Sequence, residues 1–414
     1  MSGPHERRPR FDRLLPTVAA GTLILAAACT VATPPEATPF PTSSPVVTAP
    51  PSTPSPTSVV LPGDSWALVE GWPPPGAFVN AVAAGGPGWV AVGAADEAAT
   101  AWISADGRSW TPSVPVSDVD PDTGDILEFQ RVAWDGAFLY ATAKIIRLTR
   151  GESHPNASVW RSKDGAKWEV VGSGDLFDLG PCLEGCPSVH AVAAGTAGIG
   201  LLGNVVTDEP GGSLFWWFSR DGAEWQRLPQ SSFSARDGAS VFVADVAAGG
   251  PGFVAAGEVC DPACRGTTWA SQDGRTWTEG GALPHGEDAH PGQVVADANG
   301  FVVLGGTRLT DESGQVACKV VAWSSADLTG WSETTIDGCD VRLAESGGLL
   351  LLVGFAEGRS AVWTSSDGAT WERRPPAELA EFAECGFGDL AGGPLGAILV
   401  GDRECPSAWI TPGG

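Results

Sequence analysis

The feature that most constrains the fold is a nine-residue phrase, W-x-S-x-D-G-x-x-W, which occurs six times between Trp102 and Trp371. Equivalent tryptophans are about 40 to 58 residues apart, and a recurrence with this period indicates an array of similar stacked units. Only the fifth copy departs from the phrase, with Leu328 in place of the glycine. The copies are WISADGRSW (102–110), WRSKDGAKW (160–168), WFSRDGAEW (217–225), WASQDGRTW (269–277), WSSADLTGW (323–331) and WTSSDGATW (363–371).

Each phrase belongs to a longer unit that predicts four short strands. A short apolar run that usually ends in glycine precedes each phrase, as in residues 89–93, and it recurs seven times. Such runs, separated by Gly, Pro, Asn and Asp, are typical of strands joined by tight turns. The Asp-Gly pair predicts the hairpin between strands three and four, because glycine accepts a positive φ and the Ser and Asp side chains can cap free backbone N–H groups.

The seventh unit is incomplete at its own end of the chain. It provides three predicted strands, the third at 407–410, and the missing fourth strand resembles residues 63–70 around Trp66. We therefore expect an all-β fold: a seven-bladed β-propeller of four-stranded antiparallel blades, with the last blade closed by the N-terminal strand. The predicted blades are 76–113, 127–173, 187–230, 239–283, 290–336, 339–376, and 385–412 together with 63–70.

The N-terminus is predicted to be an export address. Residues 1–13 contain four arginines, residues 14–28 are apolar, and LAAAC at 25–29 resembles a bacterial lipoprotein lipobox, which implies lipidation of Cys29. The alternatives are an ordinary signal peptide cut near Ala28 or an uncleaved anchor. Residues 29–62 are rich in Pro, Thr and Ser and read as an extended tether, which leaves 63–414 for the propeller. We expect a protein anchored to the outer face of a bacterial membrane, or secreted if the lipobox is not used.

The charge of the chain restricts its partners. With 24 Lys and Arg against 49 Asp and Glu, the net charge is −25, which repels nucleic acid. We therefore expect a glycan or protein ligand outside the cell, and a membrane contact only through the lipid anchor.

The remaining eight cysteines indicate disulfides, since an even number in an exported chain favours bridges. Proximity in sequence predicts four pairs. Metal binding by the two C-x3-C pairs is the alternative, but no histidine stands nearby at zinc-ligand spacing. The predicted pairs are Cys182–Cys186, Cys260–Cys264, Cys318–Cys339 and Cys385–Cys405.

The phrase S-x-D-G-x-x-W is similar to the Asp-box of the sialidase-like, BNR-repeat β-propellers, here without the residue that usually separates Asp from Gly. The resemblance covers 63–414 and implies that the box is a structural turn away from the active face. Sialidases use a tyrosine nucleophile and an R-I-P sequence; this chain has one tyrosine, Tyr140, on an apolar strand, and no R-I-P. The resemblance thus implies no catalytic residue, and the box aspartates are Asp106, Asp164, Asp221, Asp273, Asp327 and Asp367.

Candidate ligand-binding residues come from aligning the predicted inner strands, which line the channel of a propeller. Seven positions are equivalent, and they predict a ring of mixed charge with His190 and Asp340 near it. One interpretation is a polar ligand held by the arginines, with the aspartates as acid or base candidates. The other is a hydrated channel with compensating salt bridges. The ring positions are Ala81, Arg131, Ala191, Asp245, Gln293, Arg342 and Asp389.

An acidic loop after the first blade resembles the start of a calcium-binding loop. It departs from the EF-hand because its glycine stands one place late and Pro121 interrupts it, so a solvated acidic loop is the alternative. No other cofactor is expected. Its acidic residues are Asp118, Asp120, Asp122 and Asp125.

The sequence therefore predicts a surface-anchored binding or scaffold module, and it leaves enzymatic activity open while favouring none. The alternatives are an exo-acting glycoside hydrolase that uses channel carboxylates, and an assembly factor for an envelope complex.

Overall fold

The computed structural model describes most of the predicted propeller. The described residues are 65–96, 98–113, 126–147, 154–177, 188–205, 213–229, 232–233, 239–250, 252–261, 263–285, 288–297, 299–307, 319–374 and 386–412. They form seven antiparallel four-stranded sheets, so the predicted seven-bladed β-propeller is confirmed. Among these residues, no helix is long and apolar enough to span a membrane.

The first four blades follow the chain in order. Blade 1 contains β2 (Ala77–Gly85), β3 (Gly88–Ala95), β4 (Ala98–Ser104) and β5 (Thr111–Ser113). Blade 2 contains β6 (Ile126–Trp134), β7 (Leu139–Arg147), β8 (His154–Ser162) and β9 (Glu169–Gly172), followed by a 3-10 helix (Gly174–Phe177). Blade 3 contains β10 (Ser188–Gly195), β11 (Gly198–Val205), β12 (Ser213–Ser219) and β13 (Gln226–Leu228). Blade 4 contains β14 (Ser240–Gly249), β15 (Gly252–Cys260), β16 (Cys264–Ser271) and β17 (Thr278–Ala282).

The last three blades complete the ring. Blade 5 contains β18 (Ala289–Ala296), β19 (Phe301–Thr307), β20 (Val320–Ser325) and β21 (Ser332–Ile336). Blade 6 contains β22 (Cys339–Ser346), β23 (Leu349–Ala356), β24 (Arg359–Ser365) and β25 (Glu372–Arg373). Blade 7 contains β26 (Phe387–Gly393), β27 (Gly396–Gly401), β28 (Ala408–Pro412) and β1 (Ala67–Leu68).

Blade 7 is closed by the N-terminal strand, as the sequence predicts. β1 pairs antiparallel with β28, with Ala67 opposite Ile410 and Leu68 opposite Trp409. The strand is only two residues long, but the flanking Trp66 is buried in the cluster that joins blades 6 and 7. This side chain therefore ties the start of the propeller to its last blade.

The hydrophobic core lies between adjacent blades. One buried cluster joins Val90 and Val92 of blade 1 to Phe129 and Trp160 of blade 2, and the other junctions repeat this arrangement. The first tryptophan of every phrase is buried, and a large ring between two sheets removes much apolar surface from water. The repeat thus supplies the packing of each blade against the next.

The repeated phrase forms the turn between the third and fourth strands of blades 1 to 6. In blade 1, the N–H groups of Arg108 and Ser109 both donate to Oδ1 of Asp106 at 2.8 Å, and Gly107 N–H donates to Ser104 Oγ at 2.8 Å. Gly107 has φ 71°, the left-handed region that favours glycine. Both predicted functions of the phrase, a glycine turn and side-chain capping, are present.

Candidate functional site

All seven inner strands carry a β-bulge at the same level. A bulge sets two residues opposite one and re-aims side chains locally, often next to a functional site. The sequence gives no direct sign of it, since a one-residue irregularity leaves the apolar pattern intact. The register shifts lie between Val79 and Ala81, Phe129 and Arg131, Val189 and Ala191, Val243 and Asp245, Pro291 and Gln293, Cys339 and Arg342, and Phe387 and Asp389.

The bulges surround a central cavity of about 580 Å³. All six predicted ligand-binding residues line it, and so does Ala191, whereas Ala81 does not. Asn80 also lines the cavity and was not predicted, although it precedes Ala81 as His190 precedes Ala191. The predicted residues that meet here are Arg131, His190, Asp245, Gln293, Arg342 and Asp389.

The two arginines of the ring bind backbone carbonyls in the following blade. Arg131 Nε donates to the carbonyl oxygen of His190 at 2.7 Å, and Arg342 Nε donates to that of Gly388 at 3.1 Å. His190 and Gly388 are the bulged residues of their strands, so their carbonyls lie outside the regular ladder. Each guanidinium therefore donates a hydrogen bond to a backbone carbonyl that the bulge takes out of the regular strand pairing.

The two aspartates make the complementary contact. Oδ2 of Asp245 accepts the N–H of Val294 at 2.9 Å, and Oδ2 of Asp389 accepts the N–H of Val82 at 2.9 Å. Val294 and Val82 again belong to the following blade, two residues beyond its bulged position. The acidic ring members thus take up backbone donors, as the basic members take up acceptors.

Gln293 does both, which matches the chemistry of an amide. Its Nε2 donates to the carbonyl of Leu343 at 3.0 Å, and its Oε1 accepts the N–H of the same residue at 3.0 Å. Arg342 also forms an ion pair with Asp340 at 3.1 Å. Hydrogen bonds to the backbone of the next blade hold most of the ring side chains, and this ion pair adds to them.

The carboxyl groups of the ring have raised pKa values. Burial raises the pKa of Asp245 to about 6, against the opposing effects of N–H donors and the positive charge of Arg131. Burial likewise raises the pKa of Asp389, which Arg131 and Arg342 counteract. Asp245 is partly exposed, and its exposed surface faces the cavity. The surrounding inner strands exclude most of the water that would otherwise stabilise its charge.

Tyr140 is a packed residue, as predicted. Its side chain is 1% exposed and lies between the sheets of blades 2 and 3. Burial raises the pKa of Tyr140 to about 12, so the hydroxyl stays protonated near neutral pH. This position does not suit a nucleophile that must reach a substrate.

The predicted disulfide between Cys260 and Cys264 is present, at the end of the β15–β16 hairpin. Both sulfur atoms lie within 4.8 Å of a Glu258 carboxylate oxygen, but bridged sulfurs do not supply thiolate ligands. Cys339 and Cys405 are also disulfide-bonded. Other predicted positions lie outside the described residues: Cys29, the pair Cys182–Cys186, Cys318, Cys385, and the acidic loop residues Asp118, Asp120, Asp122 and Asp125.

Comparison with known proteins shows resemblance of fold only. No protein-family model matches the chain, and no curated protein matches it. The phage phi92 endosialidase is 11% identical with a TM-score of 0.42, over 82% of this chain and 67% of that chain. The Penicillium chrysogenum alpha-L-arabinanase complexed with arabinobiose is 11% identical with a TM-score of 0.39, over 66% of this chain and 89% of that one. The Pyrococcus horikoshii acylaminoacyl peptidase is 11% identical with a TM-score of 0.47, over 80% of this chain and 50% of that chain.

Proposed function

We propose that the protein is a binding module and that its central cavity holds a polar, hydroxyl-rich ligand, such as the end of a glycan. The supporting observation is the bulged ring, in which five side chains are held by the backbone of the following blade. A site built on rigid strands needs little ordering when a ligand binds, and this favours affinity.

The chemistry of the lining suits an uncharged polar ligand. Two arginines and two aspartates balance each other, and the amides of Gln293 and Asn80 add donors and acceptors. Sugar hydroxyls both donate and accept, so they can use such a mixed surface. The cavity of about 580 Å³ falls in the size range of small-ligand sites. The net charge of −25 disfavours anionic sugars at long range.

Binding is favoured over catalysis because the ring side chains have structural partners. A general acid must be able to move its proton toward the substrate, whereas one oxygen of each ring carboxyl already accepts a backbone N–H. One observation supports the second candidate, a glycoside hydrolase. Burial raises the pKa of Asp245 to about 6, which is the direction in which the pKa of a catalytic acid is shifted.

A glycan array combined with a panel of fluorogenic glycosides separates the two candidates. The variants are Asp245→Asn and Asp389→Asn, with Asp106→Asn in a turn as the matched control. We expect glycan binding without turnover, and weaker binding in the ring variants only. Turnover by the native protein that is lost in the two ring variants would contradict the binding-module proposal and support the glycoside hydrolase. Glycan binding that is unchanged in both ring variants would contradict the proposal that the ligand binds in the central cavity.

We further propose that the module is exported and held at the outer face of a membrane by a lipid on Cys29. The support is the sequence alone: the lipobox-like LAAAC and the tether that follows it. Cys29→Ser should release the protein from the membrane fraction, and unchanged fractionation would contradict lipidation. If no glycan binds, a pull-down from membranes tests the remaining alternative, assembly of an envelope complex.

A further inference from the structure

Of the six turns formed by the repeated phrase, one differs from the others. In five turns the residue after the aspartate is a glycine that packs directly on the preceding blade. A Cβ placed on any of these glycines would lie 2.2 to 2.5 Å from a side-chain atom of that blade. The five glycines are Gly107, Gly165, Gly222, Gly274 and Gly368.

The turn of blade 5 carries Leu328 instead, with φ 64°. Blade 4 has a small side chain in this junction. At the position after the first tryptophan of the phrase, blade 4 has Ala270, whereas blades 1 and 7 have Ile103 and Ile410. Those isoleucines are what Gly165 and Gly107 contact. The alanine and the leucine both line the space at the junction between blades 4 and 5.

A crevice of about 500 Å³ occupies this junction. Its floor is apolar and comes from Phe253, Val254, Ala270, Phe301 and Leu328. None of its lining residues lines the central cavity, so the two sites are separate. A concave apolar surface of this size is a ready site for the body of a small organic ligand.

The rim of the crevice is negatively charged. Asp273 and Asp327 stand on it, and its described lining includes no Lys, Arg or His. Backbone N–H groups lower the pKa of Asp273, chiefly that of Thr276, and of Asp327, chiefly that of Thr329. Both carboxylates are therefore ionised at neutral pH. The net charge of −25 adds a long-range attraction for cations.

We propose that the crevice between blades 4 and 5 binds a small organic cation with an apolar body, of the alkyl- or arylammonium class. The apolar part rests on Ala270 and Leu328, the partly exposed apolar side chains of the lining, and the ammonium group faces the carboxylates of Asp273 and Asp327. Carboxylates attract such cations, and apolar side chains accommodate their organic part. This site is independent of the ligand proposed for the central cavity.

The test compares three probes of similar size: benzyltrimethylammonium, neutral N-benzylacetamide and anionic phenylacetate. Binding to the purified full chain is measured by calorimetry and by ligand-observed NMR. We expect the cation to bind about fivefold or more tightly than the neutral probe, with loss of this advantage at high salt. Equal affinity of the cationic and neutral probes would overturn the proposal.

Two sets of variants locate the site. Ala270→Ile combined with Leu328→Gly rebuilds the junction found between blades 1 and 2, where Ile103 meets Gly165, and should abolish binding. Asp273→Asn combined with Asp327→Asn keeps an oxygen acceptor in each turn but removes both charges, and should weaken binding about fivefold. The matched control, Asp106→Asn with Asp164→Asn, makes the same change in two turns away from the crevice.

The outcomes are decisive in each direction. Unchanged affinity in the folded junction variant, or equal weakening in the control, would overturn the proposal. If the junction variant does not fold, the charge variant decides alone. Asp245→Asn should leave benzyltrimethylammonium binding unchanged, so failure of this proposal and failure of the central glycan site give different results.

Discussion

Aspartates behave in opposite ways at two places in the propeller, the turns formed by the repeated phrase and the inner strands that carry the ring. In the turn, Asp106 is exposed and accepts two backbone N–H groups, which lower its pKa to about 2. On the inner strand, Asp245 is enclosed by the other blades, and burial raises its pKa to about 6. In the turns, backbone N–H groups stabilise the ionised form of the repeated aspartates. In the ring, burial makes the ionised form of the aspartates less stable.

The repetition follows the same division. Turn aspartates recur in six blades with the same neighbours, because each blade needs the same hairpin. Ring positions hold Ala, Arg, Asp or Gln, and each side chain that reaches the next blade suits the backbone group it meets there. Substitutions in the repeated turns and the packing between blades are therefore expected to change stability. Substitutions in the ring are expected to change ligand binding.

The largest loss of stability is expected where the N-terminal strand closes blade 7. Trp66→Ala should lower the free energy of unfolding by about 4 kcal/mol, because it removes a buried ring between blades 6 and 7. Leu68→Ala, in the same strand but 42% exposed, should cost less than about 1 kcal/mol. Chemical denaturation measures both, and similar losses in the two variants would contradict closure by Trp66.

A smaller loss is expected from Gly165→Ala in one of the repeated turns. The new Cβ would lie 2.5 Å from Ile103 Cγ2, at φ 71°, and should cost about 2 kcal/mol. Gly306→Ala is the control, since its Cβ would have no neighbour within 4 Å. Thermal unfolding of the two variants shows whether the turn glycines are needed for packing.

Asp245→Asn should change stability in the opposite direction. The folded pKa of about 6 exceeds the unfolded value of about 3.9, so the aspartate contributes most favourably below pH ~4 and loses that contribution as pH rises through about 6. An asparagine keeps the acceptor for Val294 without the charge. We expect it to raise the free energy of unfolding by about 2 kcal/mol at pH 7 and to change little at pH 4. A loss of stability at pH 7 would show that the charge is favourable there.

The smallest effect is expected from Asp106→Asn. The folded pKa of about 2 lies below the unfolded value, so this carboxylate adds stability above pH ~4 that is lost as pH falls toward 2. Solvent screening limits the loss at pH 7 to about 0.5 kcal/mol. Denaturant titrations at pH 7 and pH 3 measure it, and a gain in stability at pH 7 would remove the contrast with Asp245.

The sequence carries most of the fold and part of the site. The spacing of the tryptophan phrase predicts the blades, and the alignment of inner strands predicts which side chains meet in the cavity. The partners of those side chains depend on contacts between residues far apart in sequence, as with Arg131 and the carbonyl of His190. The bulges that create these partners leave no pattern in composition. Leu328 is visible as a departure from the repeat, but only the structure shows that it lines a crevice together with Ala270.

The contrast between ring and turn carboxyls is tested most directly by their titration. Carboxyl-carbon NMR of the aspartates, with Asp245→Asn and Asp106→Asn for assignment, gives each midpoint in the folded protein. The prediction is a midpoint near pH 6 for Asp245 and one near or below pH 2 for Asp106. Titration of both groups together near pH 4, the ordinary value for an aspartate, would contradict the account.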